Sequence, residues 1–160
     1  MAYKEITKLI RYYLVAFAAL SLDQITKWAV AAYMVIGETL PIIPGLIYFT
    51  SHRNKGAAFG ILPNQRMLFL VITVVVIIGI AVILKRVYRS NRLLSAGLAL
   101  VMGGASGNFI DRLLQGEVVD MFELGFIDFP IFNVADCSIV AGVALIMLDS
   151  WKTEKKRGVN

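Results

Sequence analysis

Two stretches of this chain, residues 67–84 and 93–110, contain no charged side chain. A helix crossing a hydrocarbon core of about 30 Å needs about 20 predominantly apolar residues. Both stretches meet that requirement, and this limits the fold more than any other feature. The composition agrees. The chain is 58% hydrophobic and 17% charged, against about 25% charged in ordinary soluble domains. A soluble domain of this length could not hide so much apolar surface, so lipid is the expected solvent for much of it.

Two further spans carry charges. The first covers residues 12–31 and contains Asp23 and Lys27; the last covers residues 133–151, with Asp136 near its start. The last is the weakest signal, because its charge-free stretch is only residues 137–148. The first apolar run continues to residue 36. This exceeds the apolar core of a secretory signal, about 7–15 residues, so it reads as a retained anchor.

Basic residues flank these spans unevenly. Lys4, Lys8 and Arg11 precede the first span. Lys85, Arg86, Arg89 and Arg92 separate the second from the third, and Lys152, Lys155, Lys156 and Arg157 follow the fourth. These regions hold most of the 16 Lys and Arg residues. Four spans put them all on one side, which the positive-inside rule makes the cytoplasm. Both termini are then expected in the cytoplasm, and the connections 32–66 and 111–132 outside. The net charge of +5 thus reflects membrane orientation, and no nucleic-acid partner is expected.

The expected architecture is an all-α membrane protein, one domain over residues 1–160. It has four transmembrane helices, a small extracytoplasmic β-sheet lying on the membrane and a short outer helix. Residues 46–50 and 118–122 are rich in strand formers, with Gly125 and Pro130 as later breaks. Residues 56–62 suit a helical turn.

Ionisable groups within a span cost about 2.5–3.5 kcal/mol at the helix centre, so their depth is informative. Counted at about 1.5 Å per residue from the inner charged boundary, Asp23 lies about 18 Å up and Asp136 about 20 Å. Asn108 lies about 24 Å up and Asp111 about 28 Å. Three separate spans therefore place polar groups in the outer half of the bilayer. Gly104, Asn108, Asp111 and Arg112 share one stripe of the third span.

Each residue has a plain structural reading. Asp23 and Lys27 suit an i, i+4 ion pair, and Gly103 with Gly107 suits close helix packing. Asp136 suits a helix cap. His52 suits a solvated loop, Cys137 a packed thiol, and Trp28 and Trp151 interfacial anchors. Convergence at one depth is what favours a functional site.

The chemistry on offer is narrow. The single Cys137 excludes an internal disulfide, and with the single His52 it cannot build a typical zinc site, so no metal or cofactor is expected. Ser106 has no histidine in helical register. Two carboxylates can hydrolyse a peptide without either group. One ionised carboxylate takes a proton from water while a protonated one hydrogen-bonds the scissile carbonyl. Asp136 enters from the top of the fourth span, and Asp120, in the connection after the third, can reach it. The residues alone leave Asp23, Asp111, Asp120 and Asp136 eligible.

The residues so assembled resemble the lipoprotein signal peptidase family, also called signal peptidase II. The matching blocks are Asp23-Gln24-Ile25-Thr26-Lys27, then Arg53-Asn54-Lys55-Gly56-Ala57-Ala58-Phe59-Gly60, then Gly103 to Arg112 (GGASGNFIDR). Val118-Val119-Asp120 and Phe132-Asn133-Val134-Ala135-Asp136 complete the series. They follow the family's order on a matching four-span plan. The resemblance implies that Asp120 and Asp136 are the catalytic pair of an aspartic endopeptidase. It implies supporting roles for Asp23, Lys27, Asn54, Asn108, Arg112 and Asn133. Gly56, Gly104, Asp111 and Ala135, within the same blocks, complete the candidate site. The implied substrate is a prolipoprotein whose cysteine carries diacylglycerol, cut just before that cysteine in the bacterial cytoplasmic membrane. The family is blocked by globomycin, a cyclic lipopeptide, and has an outer β-cradle with a short outer helix. Met121 departs from the pattern, since a Phe often follows the aspartate.

Two other readings compete. A polar belt within spans is also how ion paths look, but nothing on the inner side completes a pathway. A presenilin-like protease would carry Tyr-Asp and Gly-x-Gly-Asp signatures, and this chain has neither.

Overall fold

The computed structural model describes residues 2–56 and 61–157. Its elements are, in order, α1 (Ala2–Tyr33), β1 (Thr39–Ile43), β2 (Ile47–Asn54), α2 (Arg66–Val87), α3 (Arg92–Leu114), β3 (Val118–Leu124) and α4 (Val134–Arg157). Among the described residues four helices are long and apolar enough to cross a membrane, over Ile6–Tyr33, Arg66–Val87, Arg92–Leu114 and Val134–Lys155. The two charge-free runs form α2 and α3, as expected. The charged spans are longer than their apolar content suggests, because both helices continue into their basic flanks.

α3 is the hub, and α1, α2 and α4 each pack against it. Its buried residues include Gly97, Gly103, Gly104 and Gly107. Without a hydrophobic drive between helices in lipid, close backbone approach carries the packing. A Cβ at Gly103 would collide with the Ala16 carbonyl of α1, and one at Gly104 with the Ala135 carbonyl of α4. Further along, Ala16, Ile80, Leu84, Leu98, Ala99 and Met102 form an apolar core. Most of α2 points outward, with Met67, Val71, Val75 and Ile78 all exposed, as suits a helix solvated by acyl chains. Trp28 and Trp151 are also exposed.

At the end of the bundle where α1 and α3 finish and α4 begins lies a three-stranded antiparallel sheet, ordered β1-β2-β3. Val30, Val119 and Met121 are buried between α1 and the sheet, beside Met34, Phe49 and Phe122. β1 was not expected. Its sequence TLPII contains Pro41, which reads as a break, yet β1 is an edge strand where a missing N–H is tolerated. His52 is a correction: it belongs to β2, opposite Asp120, and not to a loop, although it is exposed. The helical turn anticipated over residues 56–62, and with it the short outer helix, falls largely on residues 57–60, outside the described residues.

Candidate active site

The site gathers where β3, α3 and the start of α4 meet. Asp120 is buried on β3 at 2% exposure. Asn54 of β2 lies opposite Val118, making Asp120 its diagonal neighbour. The Asn54 Nδ2 donates to Asp120 Oδ2 at 3.0 Å, while its Oδ1 accepts the Gly56 N–H at 2.9 Å. That turn holds the amide facing the carboxylate.

Asp136 is placed by the way α4 starts. Asn133 precedes the helix, and its Oδ1 accepts the Asp136 N–H at 2.9 Å. The Asp136 Oδ2 reaches back to the Asn133 N–H at 3.1 Å. This reciprocal arrangement is a capping box, which satisfies two otherwise orphaned donors. The capping residue is thus Asn133, with Asp136 answering from the first turn of α4 rather than capping it, and this leaves Asp136 Oδ1 for another partner. Asn108 Nδ2 of α3 donates to it at 2.8 Å.

Behind these groups lies a charged cluster. The Lys27 ammonium touches Asp23 at 2.9 Å and Asp111 at 2.9 Å, and donates to Asn108 Oδ1 at 2.8 Å. Asp23 Oδ1 accepts the buried Ala135 N–H at 2.8 Å. Asp111 accepts from Gln24 Nε2 at 2.9 Å and from the Val119 N–H at 3.3 Å. An ammonium can only donate, so Asn108 must turn its oxygen to Lys27 and its Nδ2 to Asp136. Arg112 donates to the Gly56 carbonyl at 3.0 Å and stacks on Phe69 at 4.8 Å. It thereby ties the end of β2 to α2 and α3.

A cavity of about 660 Å³ opens onto this end of the bundle. Asn54, Asn108, Arg112, Asp120, Asn133 and Asp136 form its polar end. The rest of its lining is apolar apart from Cys137, which is exposed and not the packed thiol expected, and runs along α4 through Val140, Ala141 and Ala144. That wall extends about 12 Å below Asp136. Asp120 and Asp136 thus face the cavity, whereas Asp23 and Asp111 are engaged by Lys27 behind it. Gly104 and Ala135 are not in the lining; they are the point where α3 and α4 touch.

Burial raises the Asp120 carboxyl from 3.8 to about 6. The Asn54 donor opposes that rise, the negative Asp136 adds to it, and Asn133 and Lys27 act against it. Among the described residues no group of His, Cys, Asp and Glu is arranged to hold a metal ion.

Two sets of site residues were not anticipated. Gln24 bridges Asp111 and the Gly107 carbonyl; its place beside Asp23 within a polar turn was the available signal. The apolar wall was legible as helical spacing from Asp136 to Val140 and Ala144.

Fold and site together define a multi-pass membrane protein with two cavity-facing carboxylates at one end of its bundle. The profile of the family described as Signal peptidase (SPase) II matches residues 15–152. The chain belongs to that family, proteases that remove signal peptides from lipoproteins. The lipoprotein signal peptidase of Anoxybacillus flavithermus is 49% identical over 148 residues, covering 91% of this chain and 88% of the relative. That of Brevibacillus brevis is 49% identical over 145 residues, covering 91% and 97%. Among solved structures, a bacterial membrane enzyme determined by the in meso method at 2.3 Å superposes with a TM-score of 0.83. It is 38% identical, over 91% of this chain and 90% of that one. A second, determined at 1.9 Å, gives 0.76 at 40% identity, over 86% and 90%.

Proposed function

We propose that residues 1–160 act as one aspartic endopeptidase domain in the bacterial cytoplasmic membrane. In this reading it removes the signal peptide of diacylglyceryl-modified prolipoproteins just before the modified cysteine. The observation that carries the reading is the pairing of Asp120 and Asp136 on one cavity, with Asn133 bonded to both.

Two carboxylates held close do not both ionise easily, and the reactive form of the pair is the one that carries a single proton. A water molecule between them loses a proton to the ionised member as its oxygen bonds the scissile carbonyl carbon. The protonated member donates to the carbonyl oxygen. Collapse of the tetrahedral intermediate breaks the C–N bond: the leaving nitrogen takes the proton that came from water, and the proton on the former carbonyl oxygen returns to the other carboxylate as the C=O re-forms. Asn54, Asn108 and Asn133 hold the carboxylates in place, and Lys27 and Arg112 are positioning cations. The apolar wall along α4 suits a signal helix and acyl chains that arrive from the bilayer. The basic flanks support cytoplasmic termini, with the sheet and cavity toward the outer face.

The test is cleavage of a diacylglyceryl-modified peptide by purified protein. Asp120→Asn and Asp136→Asn each abolish cleavage while the protein stays inserted and monodisperse. Globomycin blocks the wild type, and excess chelator does not. Full cleavage by either variant overturns the proposal.

A further inference from the structure

Phe109 and Leu113 lie one position beyond Asn108 and Arg112 on α3, so they are turned by about 100° around the helix. They face away from the candidate active site. There, with Leu70, Val71, Val74 and Val75 of α2, they enclose a second depression of about 250 Å³. Every lining residue is apolar. The groove follows the seam between α2 and α3 within the membrane-spanning part of both helices.

A cation stands at its sheet-side end. Arg66 begins α2 and shares the helical stripe of Leu70 and Val74. Its Nη2 donates to the Leu113 carbonyl at 2.7 Å, one of the last carbonyls of α3, which lack a partner within their own helix. Gly116 lies beside the guanidinium, with room for a Cβ at 3.5 Å from Nη1. The side chain is otherwise exposed, and no carboxylate pairs with it among the described residues. A guanidinium carries five N–H donors in a fork that matches phosphate oxygens.

We propose that this groove binds a membrane phospholipid, with one acyl chain laid against Leu70, Val74 and Val75 and its phosphate on Arg66. The dimensions fit. Val75 lies about 13 Å beyond Arg66 along the helix, and one leaflet of hydrocarbon is about 15 Å thick. The chemistry also separates this ligand from the substrate proposed above, because a diacylglyceryl group carries no phosphate. α2 packs chiefly on α3. A chain in the seam therefore adds dispersion contacts where the helix pair has few other supports.

Native mass spectrometry of the full chain in detergent, titrated with phosphatidylglycerol or with diacylglycerol of the same chains, tests the site. Phosphatidylglycerol binds the wild type more tightly than diacylglycerol does. Arg66→Gln weakens it about fivefold or more, the effect of one interfacial cation. Arg66→Lys retains most of the affinity. Val71→Trp fills the groove from an exposed position and also weakens phosphatidylglycerol binding. Lys85→Gln removes the same charge at the opposite end of α2 and leaves binding unchanged. Size-exclusion profiles and melting temperatures establish that each variant is folded, and Val71→Trp decides alone should Arg66→Gln not fold. Wild-type affinity in both Arg66→Gln and Val71→Trp overturns the proposal. So does an equal loss in Lys85→Gln, or no preference for phosphatidylglycerol over diacylglycerol.

Discussion

The side-chain amide of Asn133 donates to Asp120 Oδ1 at 2.6 Å. The same residue, through its backbone N–H and its Oδ1, forms the capping box with Asp136. Asn133 is thus the joint between β3 and α4, and the separation of the two carboxylates depends on its length. Serine at this position keeps the helix cap but cannot reach Asp120. A displacement of about 1 Å in a reacting group can cost about 100-fold in rate. Asn133→Ser is therefore expected to lower kcat on a lipid-modified peptide by about that factor. Its cost in stability is about 1–2 kcal/mol, since the cap survives. A variant with normal kcat would show that the joint is not needed.

Asp120 gives the fold a pH dependence whose sign follows from its environment. The unfolded chain releases this proton near 3.8 and the folded chain near 6. Between those values the folded state holds a proton that the unfolded state has lost. Stability from this group is therefore full below about pH 4, declines up to about pH 6, and is level above. The span is worth about 3 kcal/mol. Asp120→Asn removes that titration. Compared with wild type, the variant gains stability as the pH is raised from 4 to 7, by up to about 3 kcal/mol. Denaturation of both proteins in detergent across that range measures the difference, and other titrating groups cancel in the comparison. A difference that does not move with pH contradicts the environment assigned to Asp120.

The Lys27 ammonium bridges two buried acids, Asp23 and Asp111. Lys27→Met would leave Asp23 and Asp111 buried together without a counter-charge. Removing one side of a buried ionic cluster costs about 3–5 kcal/mol, whereas replacing the whole cluster by uncharged groups of similar size is often nearly neutral. The single variant is expected to melt far below wild type, and Asp23→Asn/Lys27→Met/Asp111→Asn to recover most of the loss. Thermal melts of the purified proteins decide this. A triple variant as unstable as Lys27→Met would mean that the charges are not what the cluster supplies.

How much of this could be read beforehand differs from element to element, for physical reasons. The runs without charge mark α2 and α3 directly, because lipid tolerates few alternatives to helix there. Counting the helical rise put Asp23, Asn108 and Asp136 at similar depth, and they do share one hydrogen-bonded network. Rise gives depth along a helix but not which neighbour a side chain meets. This is why the residues alone left Asp23 and Asp111 as eligible as Asp120 and Asp136, whereas the structure shows the first two engaged by Lys27. β1 was hidden because a strand containing Pro41 has no alternation to see, and its existence depends on pairing with β2. The far part of α4 was hidden because Asp149 looks like a membrane boundary. In the fold Asp149 accepts from Asn91 Nδ2 at 2.6 Å, which ties α4 to the start of α3, and the helix continues to Arg157.

Gly97 of α3 and Gly79 of α2 offer the sharpest contrast between residues that look alike in sequence. Gly97 sits where α3 crosses α4: a Cβ there would lie 2.7 Å from the Gly142 carbonyl and 2.8 Å from Ile146 Cγ1. The obstacle is partly backbone, so the helices must separate. Gly79 of α2 is also within a helix, but a Cβ there meets nothing within 4 Å. Alanine is the better helix former by about 0.8–1 kcal/mol. Gly97→Ala should therefore lose about 1–3 kcal/mol through overpacking despite that preference, while Gly79→Ala should be neutral or mildly stabilising. Because the α3–α4 crossing also sets where Asn108 meets Asp136, Gly97→Ala should lower peptide cleavage along with the melting temperature. Gly79→Ala should leave both intact. Equal effects of the two substitutions would argue against the close α3–α4 contact as the element that holds the site together.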